Sequence, residues 1–163
     1  MTRRQSLFGL AAGFALNGKI FAATGLMPLD EAGFRKMVSS HHGRLLLVDF
    51  WATWCAPCRE EMPKLIALHS RYAKDLDLVT VSCDEPEAEA QAASFVASQG
   101  APAPRYIRHA ADDDQFINAI DPKWSGALPA LFLFDRTGRQ VKSFIGETDM
   151  AQLEATIKKL VTS

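Results

Sequence analysis

Two cysteines two residues apart, Cys55 and Cys58, lie in "VDFWATWCAPCREEMPKL" (48–65), between an apolar run and a segment with helical spacing. Three chemistries compete for such a pair. A structural zinc site needs four ligands, usually a second Cys or His pair, whereas Cys83 is single and His41, His42, His69 and His109 are scattered. A static disulfide is possible, but the loop between these two cysteines is too short for the cross-link to remove much chain entropy. A redox centre accounts for the placement as well as the pair. A Cys at a strand-to-helix junction meets unsatisfied N–H groups and the positive end of the helix dipole, which favour a thiolate. Such positions lower a thiol pKa from about 8.5 to roughly 3.5–7.5. On that reading Cys55 is the nucleophile, and Cys58, one turn further in, resolves the mixed disulfide. Pro57 suits this geometry, since its fixed φ and missing N–H are tolerated in the first turn of a helix.

The elements that must position the pair follow from pattern. "LLLVDF" (45–50) and "LDLVTVS" (76–82) are apolar runs of the kind that form buried strands. Residues 56–72 read as a helix with Pro63 as a kink, and 29–39 as a short helix capped by Asp30. A further helix is expected over 87–98, punctuated by "GAPAP" (100–104). A short strand over 106–109 and a short helix over 112–120 follow, the run Asp112 to Asp114 supplying favourable N-terminal charge rather than a calcium loop. "PALFLFD", "RTGR" and "QVKSFI" read as strand, turn and strand, an antiparallel hairpin, and 149–160 as a closing amphipathic helix. Parallel crossovers first and a hairpin last imply a mixed α/β sheet.

"VDFWATWCAPC" resembles the thioredoxin active-site segment, and the likeness extends to Pro63. "GALPALFLFDRTGRQVKSFIG" is similar to that family's later segment, which holds its cis-proline, its last two strands and a Gly, here Gly146. With "CREEMP" and the long insertion between residues 84 and 127, the chain is identified as a member of the exported TlpA/ResA-like branch of thioredoxin-like proteins. The resemblance implies a thioredoxin-like fold over 24–163, a central mixed β-sheet flanked by helices, with an insertion between the second core strand and the cis-proline strand. It implies that Trp54, Pro57, Leu128 and Pro129 face the partner protein, Pro129 being the cis-proline and Leu128 offering its backbone. It also makes Asp49 the acid that relays a proton to or from Cys58. Independently, a carboxyl in an apolar run is costly without a purpose or a partner, and burial raises its pKa towards values useful to a proton shuttle.

Some positions depart from the family or stay open. Thr80 occupies the place of a lysine that partners the buried acid in many thioredoxins, and many exported relatives have Asn where this chain has Asp49. Cys83 is expected to be a small apolar residue in a buried turn, dispensable for exchange. Trp124 either lines the substrate groove or fills the core. The His41-His42 doublet is expected in a solvated turn.

The function expected is an exported thiol:disulfide oxidoreductase acting on protein cysteines, without metal or organic cofactor. Ala56-Pro57 resembles the spacer of reducing thioredoxins, which makes a reductant the expected direction. In an oxidising compartment that requires a membrane electron donor, and family analogy supplies cytochrome c or copper-site thiols as targets. Two alternatives stay open, a thiol peroxidase and a non-catalytic binding module. The chain has 18 Lys plus Arg against 19 Asp plus Glu, so nucleic acid is not an expected partner, and a monomer is expected.

Residues 1–23 read as a signal peptide, with Arg3-Arg4, then "LFGLAAGFAL" (7–16), then small residues. That apolar stretch is short of the about 20 residues a membrane span needs. No Cys follows it to mark a lipoprotein, and either the Sec or the twin-arginine route would serve. Removing three of the 18 basic residues, Arg3, Arg4 and Lys19, leaves 15 against 19 acidic ones, a mildly acidic periplasmic or otherwise exported product. Mass spectrometry of protein recovered from its cells is expected to show a mature N-terminus near Ala23 or Thr24, outside the cytoplasm. An intact chain from Met1 in the cytoplasm would contradict the reading.

Overall fold

The computed structural model describes residues 25–162, so the expected leader lies outside the described residues. In chain order the elements are β1 (Met27–Leu29), α1 (Glu31–Ser40), β2 (Leu45–Trp51), α2 (Ala56–Arg71), β3 (Leu76–Ser82), a 3₁₀ turn (Pro86–Ala88), α3 (Glu89–Ser98), β4 (Arg105–Arg108), α4 (Asp113–Ile120), β5 (Ala130–Phe134), β6 (Gln140–Ile145) and α5 (Met150–Val161). One six-stranded sheet carries them in the order β1-β4-β3-β2-β5-β6. β1 to β4 pair in parallel, and β5 and β6 run antiparallel. The mixed sheet and terminal hairpin agree with the sequence pattern, and α3, β4 and α4 make up the insertion.

Two elements differ from expectation. β1 sits where the first helix was expected to begin; its three residues are too short for any alternation to register, and Pro28 is tolerated because the strand lies at the sheet edge. Asp30 still caps α1, its Oδ1 accepting the Gly33 N–H at 2.7 Å. The His41-His42 turn is only half solvated. His42 is exposed, whereas His41 is partly buried with Nε2 3.5 Å from Asp77.

β2 is the centre of the molecule, and all seven of its residues are buried. Because successive side chains point to opposite faces of a strand, it feeds two cores. Leu46, Val48 and Phe50 face α1, α4 and Trp124, while Leu45 and Leu47 face α2 and α5. Phe50 is the hub of the first core, its ring lying 5.0 Å from Trp124, 5.7 Å from Phe132, 6.1 Å from Phe34 and 6.2 Å from Phe116. These tilted and edge-on contacts tie strands β2 and β5 to α1, α4 and the loop after α4.

Phe50→Ala removes a fully buried ring from this hub and is expected to cost about 3–5 kcal/mol of stability. Urea unfolding of the oxidised protein checks this as a lower midpoint with an unchanged slope.

Candidate active site

β2 ends at Trp51, and four residues later the chain enters α2, with Cys55 as its N-cap. The Cys55 Sγ accepts the Cys58 N–H at 3.3 Å, the Cys55 N–H donates to the Ala52 carbonyl at 3.1 Å, and the Cys55 carbonyl accepts the Arg59 N–H at 3.2 Å. Cys55 and Cys58 are joined as a disulfide with their Cα atoms 5.3 Å apart. Both are buried, and Cys55, at 5% against 2%, keeps the slightly larger opening to solvent. Pro57 falls in the first turn, and α2 continues through Pro63 to Arg71.

Beneath this helix start lies Asp49. Its odd position puts it on the β2 face that packs against α2, in register with Thr80 on β3 and Leu131 on β5. The carboxyl is 2% exposed. Burial, reinforced by the nearby Glu61 carboxylate, holds its pKa well above the ordinary carboxyl value. Neither Asp49 Oδ2 nor the Thr80 hydroxyl has a hydrogen-bond partner among the described residues. Glu61, one turn beyond Cys58, is itself buried, and its two oxygens accept the Thr148 hydroxyl at 2.7 Å and the Thr148 N–H at 3.1 Å. Sequence reading missed Glu61; its spacing of three from Cys58, which puts both on one helix face, was the available signal.

On the other face of the sheet a cleft of about 230 Å³ is lined by Trp54, Cys83, Arg108, Phe116, Trp124 and Leu128, among others. Trp54, flanking Cys55, is 72% exposed. Leu128 and Pro129 are joined by a cis peptide bond, with Leu128 half-buried and Pro129 buried; a second cis bond, Ala103–Pro104, was not anticipated. Trp124 fills the core and lines the cleft together. It is 5% exposed, and its Nε1–H donates to the Ala127 carbonyl at 2.9 Å, fixing the approach to the cis-proline. Cys83 is the free thiol at the back of this cleft, and burial pushes its pKa up to about 12, which makes it a poor nucleophile. Arg108 at the rim pairs with both Glu85 and Asp113.

A buried disulfide at a helix N-terminus on a mixed sheet, preceded by an exposed tryptophan and accompanied by a cis-proline at the start of β5, defines a thioredoxin-fold thiol:disulfide oxidoreductase. The thioredoxin family model matches residues 25–121, and the chain belongs to that family. It is 31% identical to thiol-disulfide oxidoreductase ResA of Bacillus thuringiensis (strain Al Hakam), over 92% of this chain and 88% of that protein. It is 37% identical to thiol:disulfide interchange protein HelX of Rhodobacter capsulatus, over 81% of this chain and 69% of that one. Among solved structures, a thioredoxin-family thiol:disulfide interchange protein of Chlorobium tepidum aligns with a TM-score of 0.59 at 22% identity, covering 77% of this chain and 83% of that chain.

The raised pKa of Asp49 has a consequence for stability. Between the ordinary carboxyl value of 3.8 and the folded value, the folded chain holds more protons than the unfolded one, so stability falls as pH rises. Asp49→Asn abolishes that loss. The Tm of the oxidised variant relative to the parent is therefore expected to be lowest near the ordinary carboxyl value of 3.8 and to climb as pH rises above it. Thermal melts across that range check it, and a difference flat with pH would count against a buried, proton-holding Asp49.

Proposed function

We propose that the protein is an exported reductant of protein disulfides that uses Cys55 and Cys58 as its dithiol. The Cys55 thiolate attacks a sulfur of the partner's disulfide; that S–S bond breaks, a mixed disulfide forms, and the departing partner thiolate takes up a proton. Cys58 then loses its proton to Asp49 and attacks Cys55 Sγ. The second partner thiol leaves, two electrons have passed to the partner, and Cys55–Cys58 is a disulfide again. Trp54, Pro57 and the cis Leu128–Pro129 segment receive the partner chain, with the Leu128 backbone as its strand-like hydrogen-bonding edge.

The observation that carries the direction is the setting of Cys55. The spacer residues Ala56 and Pro57 have no side-chain donor to offer its sulfur, and the buried Glu61 carboxylate adds negative charge to that end of the helix. Strong oxidants over-stabilise the thiolate and hence the reduced form; this setting works against that. The relatives named ResA and HelX support a role in the same class. By analogy, the electron acceptors are haem-attachment or copper-site cysteines of exported proteins, and a membrane protein re-reduces the pair. The expected signal segment delivers a soluble monomer to the periplasm or an equivalent compartment. Among the described residues no helix is long and apolar enough to cross a membrane.

Equilibration with glutathione buffers, read by thiol alkylation and mass, is expected to give a potential nearer about −270 mV, typical of thioredoxin, than the roughly −120 mV of a strong periplasmic oxidant. A potential above about −180 mV would replace the reductant with an oxidase or isomerase.

A further inference from the structure

Just after β3 lies a third buried carboxyl, Asp84, which makes no contact with the disulfide in the hydrogen bonds it forms. It is 1% exposed. Both of its oxygens accept the Thr53 N–H, at 3.1 and 3.0 Å, Oδ1 accepts the Thr53 hydroxyl at 2.6 Å, and Oδ2 accepts the Ser82 hydroxyl at 2.7 Å. The Asp84 N–H in turn donates to the Ser82 hydroxyl at 3.1 Å. A buried carboxylate is expensive unless hydrogen bonds replace its water, and bonds to an ionised acceptor are among the stronger ones a protein forms. Here most of those bonds converge on a single residue, Thr53, in the turn between β2 and α2.

That turn has two tenants with separate supports. Cys55 is held by its own backbone bonds to Ala52 and Arg59 and by the Cys58 N–H. Trp54 projects into solvent at 72% exposure, and the residue before it is the one Asp84 grips. The β2–β3 ladder also reaches this point, the Cys83 N–H donating to the Trp51 carbonyl at 2.7 Å, so that Asp84 lies beside the turn and extends the ladder by its side chain. We infer that Asp84 is a positioning residue for protein partners: acting through Thr53, it fixes the turn that presents Trp54 beside the disulfide. The inference rests on the thiol:disulfide exchange activity and holds for either direction of electron flow. It assigns the clamp to recognition of a macromolecular partner rather than to the chemistry at sulfur, since Cys55 keeps its anchors without it.

The test is a split in rates. Asp84→Asn leaves one acceptor oxygen and sets an amide against donors; Thr53→Val removes the hydroxyl alone. In stopped-flow exchange, each is expected to slow reaction with a disulfide-bonded protein such as insulin, by roughly 10-fold for Asp84→Asn and less for Thr53→Val, misplacement of contact groups being costly even away from the reacting atoms. Reaction with dithiothreitol, too small to need Trp54, is expected to stay within about 2-fold of the parent, and Asp84→Asn is expected to add little to a Trp54→Ala background, as for residues acting through one contact. Equal losses with both substrates would make Asp84 a general staple of the site, and no loss with insulin would remove the role; either result overturns the inference. Should Asp84→Asn fail to fold, Thr53→Val, which changes one hydroxyl in a half-buried turn, decides by the same two rates.

Discussion

The constraint on which the rest of the molecule depends is that β2 has no solvent face. It lies between β3 and β5, and helices or their loops cover both its sides, so each of its side chains is either apolar or placed there at a cost. Only Asp49 breaks the run. The alternation that sends Phe50 into the aromatic core sends Asp49 to the α2 side, and the packing of Leu65 and Leu68 against Leu45 and Leu47 fixes where α2 lies over the sheet. With that helix fixed, its first turn comes to rest just beyond the end of β2. The cysteines, the buried acid beneath them and Glu61 on the same helix are thus brought together by core packing.

Much of this could be read from the residues. β2, α2, β3 and the terminal hairpin are long apolar or periodic segments, and the capping role of Asp30 and the helix start at Asp112 to Asp114 follow from residue type and position. The cysteine pair and the cis-proline follow from spacing and resemblance, and the structure joins Cys55 to Cys58 and makes the Leu128–Pro129 bond cis. What escaped was whatever depends on contacts far apart in sequence. β1 exists because β4, nearly 80 positions later, offers it an edge. The hold of Thr148 on Glu61 spans 87 residues and that of Asp84 on Thr53 spans 31, distances at which single-chain periodicity carries no information. The partial burial of His41 escapes for the same reason, since this residue ends α1 and its partner Asp77 lies on β3.

The two faces of the sheet divide the work at the site. The α2 face holds the titrating groups, and the α4 face holds aromatic bulk. Trp124 joins them to the opening, because one indole packs on Phe50 and Phe132 while its N–H ties down Ala127 just ahead of the cis bond. A residue of this kind defeats the choice between groove and core, since it shapes the groove by belonging to the core. Arg108, the cation at the cleft rim, is committed to Glu85 and Asp113, which leaves that rim with more carboxylates than guanidinium. Cys83 lines the cleft, and burial raises its thiol pKa more than the nearby Arg108 lowers it.

The charges around the disulfide pull in opposite directions, and their size decides how the exchange proceeds. The helix N-terminus favours a thiolate at Cys55 by about 0.3–1 kcal/mol when exposed and up to ~2 when partly buried. An ionised Asp49 would oppose it at short range in a poorly screened interior, where such effects readily match the dipole. Burial and Glu61, however, raise the pKa of Asp49 and so favour its protonated form, and a neutral carboxyl does not repel. The two sulfurs therefore meet the acid in different states. In the proposed exchange, Cys55 would ionise most easily while Asp49 keeps its proton, and Cys58 would need Asp49 without that proton so that it can receive one. A single carboxyl can serve both steps only if its pKa lies between the extremes of an exposed acid and a thiol, and a fully buried strand with one acid on the helix side is a way for this chain to put it there.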